Sequence, residues 1–519
     1  MLLIYPPVAK PSEPPAGLAK LSGALKAHGI RHRAVDANIE GLIYMSGSAS
    51  SRPYEGTDTW TRRSIRHLPG NLSSLRDLHT YRSPDRYKRA VKDLNRALEF
   101  SSGENGARAG LADFQQTGLS PVRSADIIYA AEHPEENPFF PYFRDRLTTL
   151  FEESQPSVVG FSLNYLSQAL TAFSMIGYVK SILPKAVIVT GGGLVTSWMR
   201  GPSWQDPFRG LIDHLVAGPG EYRLLSLMGA PVKEGPHITP DYTTFGADEY
   251  IAPGFILPYS ASSGCYWKKC TFCPENAENN PYRAVPPDRV ISDLDKLVGE
   301  TRPVLLHLLD NAVSTSLMKS LQADPPGPPW YGFARINRDL TDIDFCISLR
   351  RSGCVMLKLG LESGDQDVLD RMHKGIDLET ASSVLKTLKK AGIGTYVYLL
   401  FGTPSETAAG AGKTLDFVTR HGEEIGFLNL AIFNMPVSAA VYGNFDKSSF
   451  YDGDLSLYTD FTHPAGWDRR SVRKFIEEEF KRDRVVASIL KKDPPVFTSN
   501  HAPFFLDWAR MREKIVPSC

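Results

Sequence analysis

Short apolar runs alternate with stretches of helical spacing in both halves of this chain, and that alternation restricts it to α/β architectures built on parallel sheets. In the first half, residues 2–5 are apolar and stop at Pro6-Pro7, and residues 17–28 follow with Leu18, Leu21 and Leu25 at helical spacing. Further apolar runs at 158–163, 187–190 and 214–217 end at small or turn residues, with a helix expected over 169–183. At 519 residues the chain is long enough for two or three cores. Its expected organisation is a doubly wound, Rossmann-like domain over 1–225 with an insertion of little strand character at about 40–145. A Pro- and Gly-rich linker over 226–258, a second run of strand-helix units over 259–440 and a C-terminal domain over 441–519 follow. The C-terminal segment is expected to be mostly helical, with Phe475, Ile476, Phe480, Val485 and Ile489 as the buried stripe of one helix over 471–491.

Cys265, Cys270 and Cys273 sit at the start of the second run, inside one loop. A closed zinc site takes four ligands, usually as two separated pairs, and no second Cys or Cys/His pair is present. Three thiolates instead suit an iron-sulfur cubane with one iron left open, which is where metal chemistry takes place. Structural zinc and plain packing are the alternatives. Cys346 and Cys354 read as buried thiols and Cys519 as a tail residue. A doubly wound sheet binds ligands beyond the carboxyl ends of its strands. In the first half those ends carry Gly191-Gly192-Gly193 and Gly218-Pro219-Gly220-Glu221. Such glycines either admit a bulky ligand close to the backbone or simply make tight strand-to-helix turns.

With Phe272 as its aromatic, the cysteine loop resembles the radical S-adenosylmethionine (SAM) superfamily, whose signature is Cys-x3-Cys-x-aromatic-Cys; the first spacer here holds four residues. The resemblance implies a partial TIM-type barrel carrying a 4Fe-4S cluster, whose open iron is chelated by the amino and carboxylate groups of SAM. One electron then splits the sulfonium and gives a 5'-deoxyadenosyl radical. It also marks the strand ends of the barrel. Asp310 and Asn311 match the position that faces the SAM amino group, with a turn pair as the plain alternative. Gly360-Leu361-Glu362-Ser363-Gly364 resembles an element in which Glu362 and Ser363 contact the ribose or carboxylate of SAM, against helix capping as the structural reading. Arg335 offers a fork to a carboxylate. Gly402, in Phe401-Gly402-Thr403-Pro404, resembles a strand end near adenine.

The order Tyr5-Pro6-Pro7, Gly17-Leu18-Ala19, Val159-Gly160-Phe161-Ser162, Gly191-Gly192-Gly193 and Gly218-Pro219-Gly220-Glu221 resembles the cobalamin-binding domain of cobalamin-dependent radical SAM enzymes. By that resemblance Ser162, Gly191, Gly192, Gly193, Gly218, Gly220 and Glu221 line the cofactor. The Asp-x-His-x-x-Gly motif of the methionine-synthase type is absent, and Asp213-His214 is not spaced for it. The implied activity is transfer of a methyl group to an unactivated carbon of a small molecule or peptide, with an external electron donor such as flavodoxin or ferredoxin. Two rivals stay open. One is a non-methylating radical SAM enzyme performing rearrangement, cyclisation or RNA or peptide modification with an empty cobalamin-like domain. The other is a non-catalytic cobalamin or metal sensor.

Charge and hydropathy exclude some partners. Lys plus Arg equals Asp plus Glu at 58 each, so no global charge draws the chain to nucleic acid or to a membrane. Residues 61–96 carry ten basic residues against three acids, which reads as a solvated helix surface or as a contact for RNA or an acidic substrate. No apolar stretch nears membrane-spanning length, and the clustered cysteines suit a reducing compartment, so a soluble cytoplasmic protein is expected. His463 and His501 are read as packed or surface residues.

Overall fold

The computed structural model describes residues 1–53, 56–103, 106–230, 237–246, 248–443, 445–449, 451–495 and 502–506, so His501 and Cys519 lie outside the described residues. The chain divides into two units, one built mainly from Met1–Phe255 with Met435–Phe461, the other from Ile256–Asn434 with Thr462–Pro494.

In the first unit, β1 (Leu2–Tyr5), β2 (Arg33–Asp36), β3 (Val158–Ser162), β4 (Val187–Gly191) and β5 (His214–Val216) form one parallel sheet in the order β2-β1-β3-β4-β5. Ile4 pairs with Val35 on one side and Phe161 on the other. Every residue of β1 and β3 is buried, as strands covered on both faces must be. The order reverses between β1 and β3, which makes their carboxyl ends the switch point of the sheet. β2 escapes sequence reading because only two of its four residues are apolar. Asp36 ends it and caps the next helix, accepting from the Asn38 and Ile39 N–H groups.

The insertion folds as helices Ala37–Ser51, Thr59–Arg66, Leu68–Arg76, Pro84–Ser102, Ser124–Glu132 and Phe140–Ser154, with a small hairpin of Ala107–Ala109 and Phe114–Gln116. Part of its basic run is structural. Buried Asp93 accepts from Trp60 Nε1 at 2.9 Å and Arg63 Nη2 at 2.8 Å, and Arg96 pairs with Asp58 at 2.8 Å. Arg62, Arg66, Arg86, Arg89 and Lys92 face solvent.

The stretch expected as a linker is a correction. Residues 237–255 pack on the first unit: Lys26 meets Asp241 at 3.1 Å, the Tyr250 hydroxyl donates to Asp36 at 3.0 Å, and a Cβ on Gly23 would lie 2.2 Å from Thr239 O. The first strand of the second unit begins at Ile256, before the expected boundary. Pro and Gly in this stretch mark tight packing, where composition alone suggests a free tether. Residues 435–461 also depart from the helical expectation. Met435–Pro436, Lys447–Ser449 and Tyr458–Phe461 form an antiparallel sheet of the first unit. The stretch is tied down by Arg123 to Asp452 at 2.7 Å, the Ser124 N–H to Asp454 at 2.8 Å and the Leu455 N–H to Val122 O at 2.9 Å.

In the second unit, β6 (Ile256–Tyr259), β7 (Leu305–Leu308), β8 (Trp330–Ala334), β9 (Cys354–Glu362), β10 (Gly394–Phe401) and β11 (Phe427–Ile432) are parallel and adjacent in chain order. Helices Pro287–Thr301, Thr315–Ala323, Ile343–Arg351, Leu378–Ala391 and Ala408–Arg420 lie between them in sequence, which makes a partial TIM barrel. Ser314, Asp342, Asp377 and Thr407 each accept a backbone N–H at a helix start, so the turn chemistry agrees with the strand-helix pattern. The single expected C-terminal helix is interrupted. Arg469–Phe475 passes into a π turn at Ile476–Phe480, and Arg484–Lys492 restarts behind an Asp483 cap. The wider turn lets Phe475 and Phe480 both pack on Phe401, at 6.2 and 5.2 Å between ring centres.

Candidate active site

The cysteines occupy the loop that leaves β6, and their approach is fixed by the end of β7. Asp310 accepts from the Ala261 N–H at 3.0 Å and from the Ser262 hydroxyl, and Asn311 Nδ2 donates to Gly264 O at 3.0 Å. Both side chains are therefore committed to the loop itself, and burial lifts the Asp310 carboxyl above its usual range. Gly264 sits at φ +70°, and a Cβ there would lie 2.5 Å from Pro281 O, so only glycine lets the loop pass this close to the backbone at Pro281.

All three cysteine thiols are half-buried. Burial pushes Cys270 up and Cys273 up to about 11, while the Lys374 and Arg335 cations act in the opposite sense on Cys270. The Asn276 and Glu275 N–H groups face the Cys273 sulfur and favour its thiolate. Among the described residues no three His, Cys, Asp or Glu side chains converge on a single ion. A cubane asks for a wider arrangement, because each cysteine binds a different iron. Three thiols on one loop, near enough to influence each other's ionisation and flanked by two cations, fit that group better than zinc.

Glu362 closes β9 in a left-handed conformation, φ +68°, that few non-glycine residues adopt. Its carboxylate pairs with Lys374 Nζ at 2.7 Å, both side chains being about nine-tenths buried. Gly360 makes room for the pair: a Cβ there would lie 2.5 Å from Glu362 Oε1 and 2.8 Å from Lys374 Nζ. Removing one partner leaves a buried charge alone. Lys374→Met is thus expected to cost about 3 kcal/mol in urea unfolding, and adding Glu362→Gln to recover most of it.

Ser363 is fully buried; its hydroxyl accepts from the Asp365 N–H at 3.1 Å and lies 3.3 Å from Thr414 Oγ1. It serves the turn, while Asp365 caps the following helix. Arg335 is turned onto backbone carbonyls, donating to Lys374 O and to Gly375 O at 2.8 Å. Gly402 lies at φ +77° and donates its N–H to Glu406 Oε2 at 2.5 Å, and Trp467 Nε1 donates to the same oxygen at 3.0 Å. Burial raises Glu406 to about 7. A folded-state value above that of a free glutamate means that the native state holds the proton more tightly. The resulting stability is complete below about pH 4.5 and lost as pH rises through 7. Glu406→Gln keeps an acceptor and cannot ionise, so it is expected to exceed the parent by about 3 kcal/mol at pH 8 and to match it near pH 4. His463 is buried with Nε2 2.9 Å from Thr403 O, a packing role.

Lys374, Trp267 and Glu406 were not visible as site residues in the sequence. Only Glu406 carried a local signal, its spacing from the Gly402 turn.

In the first unit the carboxyl ends of β1, β3, β4 and β5 open onto a cavity of about 220 Å³. Leu3, Leu18, Leu21, Val189, Val216 and Leu224 form its apolar walls. Gly17, Gly191, Gly218, Gly220, Ser162 and Glu221 also line it. The nearest atom to a Cβ on Gly17 would be Ser162 Oγ at 3.9 Å, so this glycine leaves open space. Gly192 lines the cavity too, and at φ +109°, with Leu163 O only 2.2 Å from where a Cβ would sit, it is also demanded by the turn. Gly193 donates its N–H to Asn164 Oδ1 at 2.9 Å, and Asn164 Nδ2 lies 3.4 Å from Ser162 Oγ. Glu221 is held by Lys20 at 2.7 Å. Asp213 accepts from the Ile188 N–H at 2.7 Å and from Lys180 at 2.9 Å, a structural role away from the cavity lining. An apolar slot with glycines at its mouth fits a flat heterocyclic arm of a large cofactor.

Residues 259–418 match the Radical SAM superfamily. An uncharacterized methyltransferase of Pyrococcus horikoshii is 23% identical over 313 residues, 53% of this chain and 66% of that protein. The anaerobic magnesium-protoporphyrin IX monomethyl ester cyclase of Rubrivivax gelatinosus is 22% identical over 384 residues, 65% of this chain and 67% of that protein. The chain thus spans about two thirds of the length of these curated relatives. A radical SAM methyltransferase from Kitasatospora setae, solved with tryptophan and a SAM analogue, shares the fold with a TM-score of 0.55 and 13% identity, over 96% of this chain and 92% of that one. No helix among the described residues is long and apolar enough to cross a membrane. With the cysteine loop at the head of its six-stranded parallel sheet, the segment 259–418 is the part of the chain that matches the Radical SAM superfamily.

Proposed function

We propose that the chain is a cobalamin-dependent radical SAM methyltransferase acting on an unactivated carbon of a small molecule or peptide. The observation that carries this reading is the glycine-mouthed apolar cavity at the switch point of the first sheet, in a chain whose second unit is a radical SAM barrel. Cys265, Cys270 and Cys273 would hold the 4Fe-4S cluster, and the first-unit cavity an arm of cobalamin. Together with SAM, these groups supply a one-electron cleavage that yields a hydrogen-abstracting radical, and a methyl carrier.

The chain's own residues supply placement. Asp310 and Asn311 fix the entry to the cysteine loop, so its three sulfurs are presented from a backbone that cannot slide. Lys374 holds the Glu362 carboxylate at the end of β9, where it can accept from hydroxyl groups of a bound nucleoside. The Gly402 N–H is fixed by Glu406, which sets the turn beyond β10. The electron comes from an external carrier of the flavodoxin or ferredoxin kind. Among the described residues, none of those lining the first-unit cavity is a histidine.

The test uses anaerobically purified, cluster-reconstituted protein with hydroxocobalamin. Iron and corrinoid contents are measured, followed by 5'-deoxyadenosine and S-adenosylhomocysteine formed from SAM under a strong reductant. Bound corrinoid with both products is expected. 5'-Deoxyadenosine without retained corrinoid would point to the non-methylating enzyme, and neither product would leave only a binding protein.

A further inference from the structure

The first spacer of the cysteine loop, Tyr266-Trp267-Lys268-Lys269, is held by contacts that no cysteine makes. Trp267 lies flat against Arg335, whose guanidinium carbon is 3.7 Å from the centre of the indole. Its Nε1 donates to His373 O at 3.0 Å. The Thr271 N–H donates to Met372 O at 3.1 Å, and Lys374 lies over the Phe272 ring at 5.5 Å. Arg335 donates to the Lys374 and Gly375 carbonyls, and its guanidinium faces the Cys270 sulfur. Gly375 is at φ +63°, and a Cβ on it would stand 2.1 Å from Trp267 Cζ2 and 3.0 Å from Arg335 Nη2. Any side chain there would push the indole out of its seat. Lys268 takes the left-handed conformation, φ +49°, and so turns the chain between the seated tryptophan and Cys270.

Residues 372–375 thus touch the loop at Trp267, Thr271 and Phe272, on both sides of Cys270. A spacer of four residues has more conformations to lose than a shorter one, and a flat ring pinned between a guanidinium and a glycine removes most of them. The guanidinium is also a fixed positive charge beside a cluster ligand. Charges and hydrogen bonds near cluster sulfurs set reduction potentials, and a cation favours the state with one more electron.

We propose that the Met372–Gly375 turn and Arg335 form a clamp on the cysteine loop, with Trp267 positioning the longer spacer and Arg335 setting how readily a cluster on Cys270 is reduced. This rests on the cluster reading above. Arg335 and Trp267 are positioning residues, acting through the loop and its sulfurs.

Two measurements test it, the first of which needs no cluster. In metal-free protein, tryptic cleavage after Lys268 and Lys269 is timed for the parent, Trp267→Ala, Trp267→Phe and Gly375→Ala. Release of the clamp is expected to speed cleavage at least about tenfold in Trp267→Ala and Gly375→Ala, with Trp267→Phe between them and the parent. Equal rates in all four would overturn the clamp. In reconstituted protein, the midpoint potential of the cluster is read by electron paramagnetic resonance during a redox titration. Arg335→Gln is expected to shift it negative by about tenfold in the reduction equilibrium, about 59 mV for one electron. Arg335→Lys, which keeps the charge, should restore at least half of that. Arg335→Gln with parental iron content and an unchanged potential would overturn the tuning role. Failure of the parent itself to take up iron would count against the cluster reading, while the proteolysis result would still decide the clamp.

Discussion

Cys270→Ala, reconstituted beside the parent, is expected to lose the 4Fe-4S absorption and most of its iron, and with them 5'-deoxyadenosine formation from SAM. Cys270 is the middle cysteine of the loop, and Lys374 and Arg335 both act on its sulfur. Two thiolates cannot hold three irons of a cubane, so the loss should approach the detection limit, at least about a thousandfold in rate. The fold should persist, because the loop is anchored by Asp310, Asn311 and Trp267 independently of the thiols. Circular dichroism and thermal midpoint close to the parent would establish that, and retention of a competent cluster by Cys270→Ala would refute the ligand assignment. Cys346→Ala is the control, since that thiol is fully buried in another part of the barrel and bonds to Leu340 O.

The second large effect concerns the other unit. Gly17 is in the first turn of the helix Ala16–Ala27 and borders the cavity, with open space where a Cβ would point. Gly17→Leu therefore fills the cavity without a clash in the core. A glycine in a helix is about 0.5–1 kcal/mol worse than alanine, so the variant should be as stable as the parent or slightly more so. Corrinoid retention should fall at least about a hundredfold, measured by equilibrium dialysis with hydroxocobalamin. The same variant with undiminished corrinoid would remove the cavity from the binding site. Cluster content should not change, which separates this result from that of Cys270→Ala.

The first experiment relies on features legible in the sequence, whereas the place of Gly17 on the cavity comes from the fold. The three cysteines stand together in sequence, and the barrel strands announce themselves as mainly apolar stretches with capping residues at the helix starts that follow. What stayed hidden depends on distant contacts. Trp267 and His373 are 106 residues apart, and nothing in either local sequence announces that an indole will donate to that carbonyl. Glu362 is legible by motif, but its partner Lys374 is fixed by a turn whose shape comes from Gly375. Ser363 and Glu362 are neighbours of identical local promise, and the kink at Glu362 aims one at Lys374 and sinks the other against Thr414. Arg33–Asp36 is not legible because an edge strand with two polar ends has too weak a pattern. The assignment of 226–258 to a linker fails because Pro and Gly mark tight backbone packing as readily as freedom.

The return of residues 435–461 to the first unit has a consequence for how the molecule is made. Domains ordinarily mature in the order in which they leave the ribosome. Here the backbone at Val122 and Ser124 receives its partners only when Asp454 and Leu455 have been synthesised. The nascent amino-terminal half must therefore wait, with that edge uncovered, while the whole run from β6 to β11 emerges. Translation that stalls inside the barrel would release a chain with this edge still bare, an easy target for chaperones and proteases.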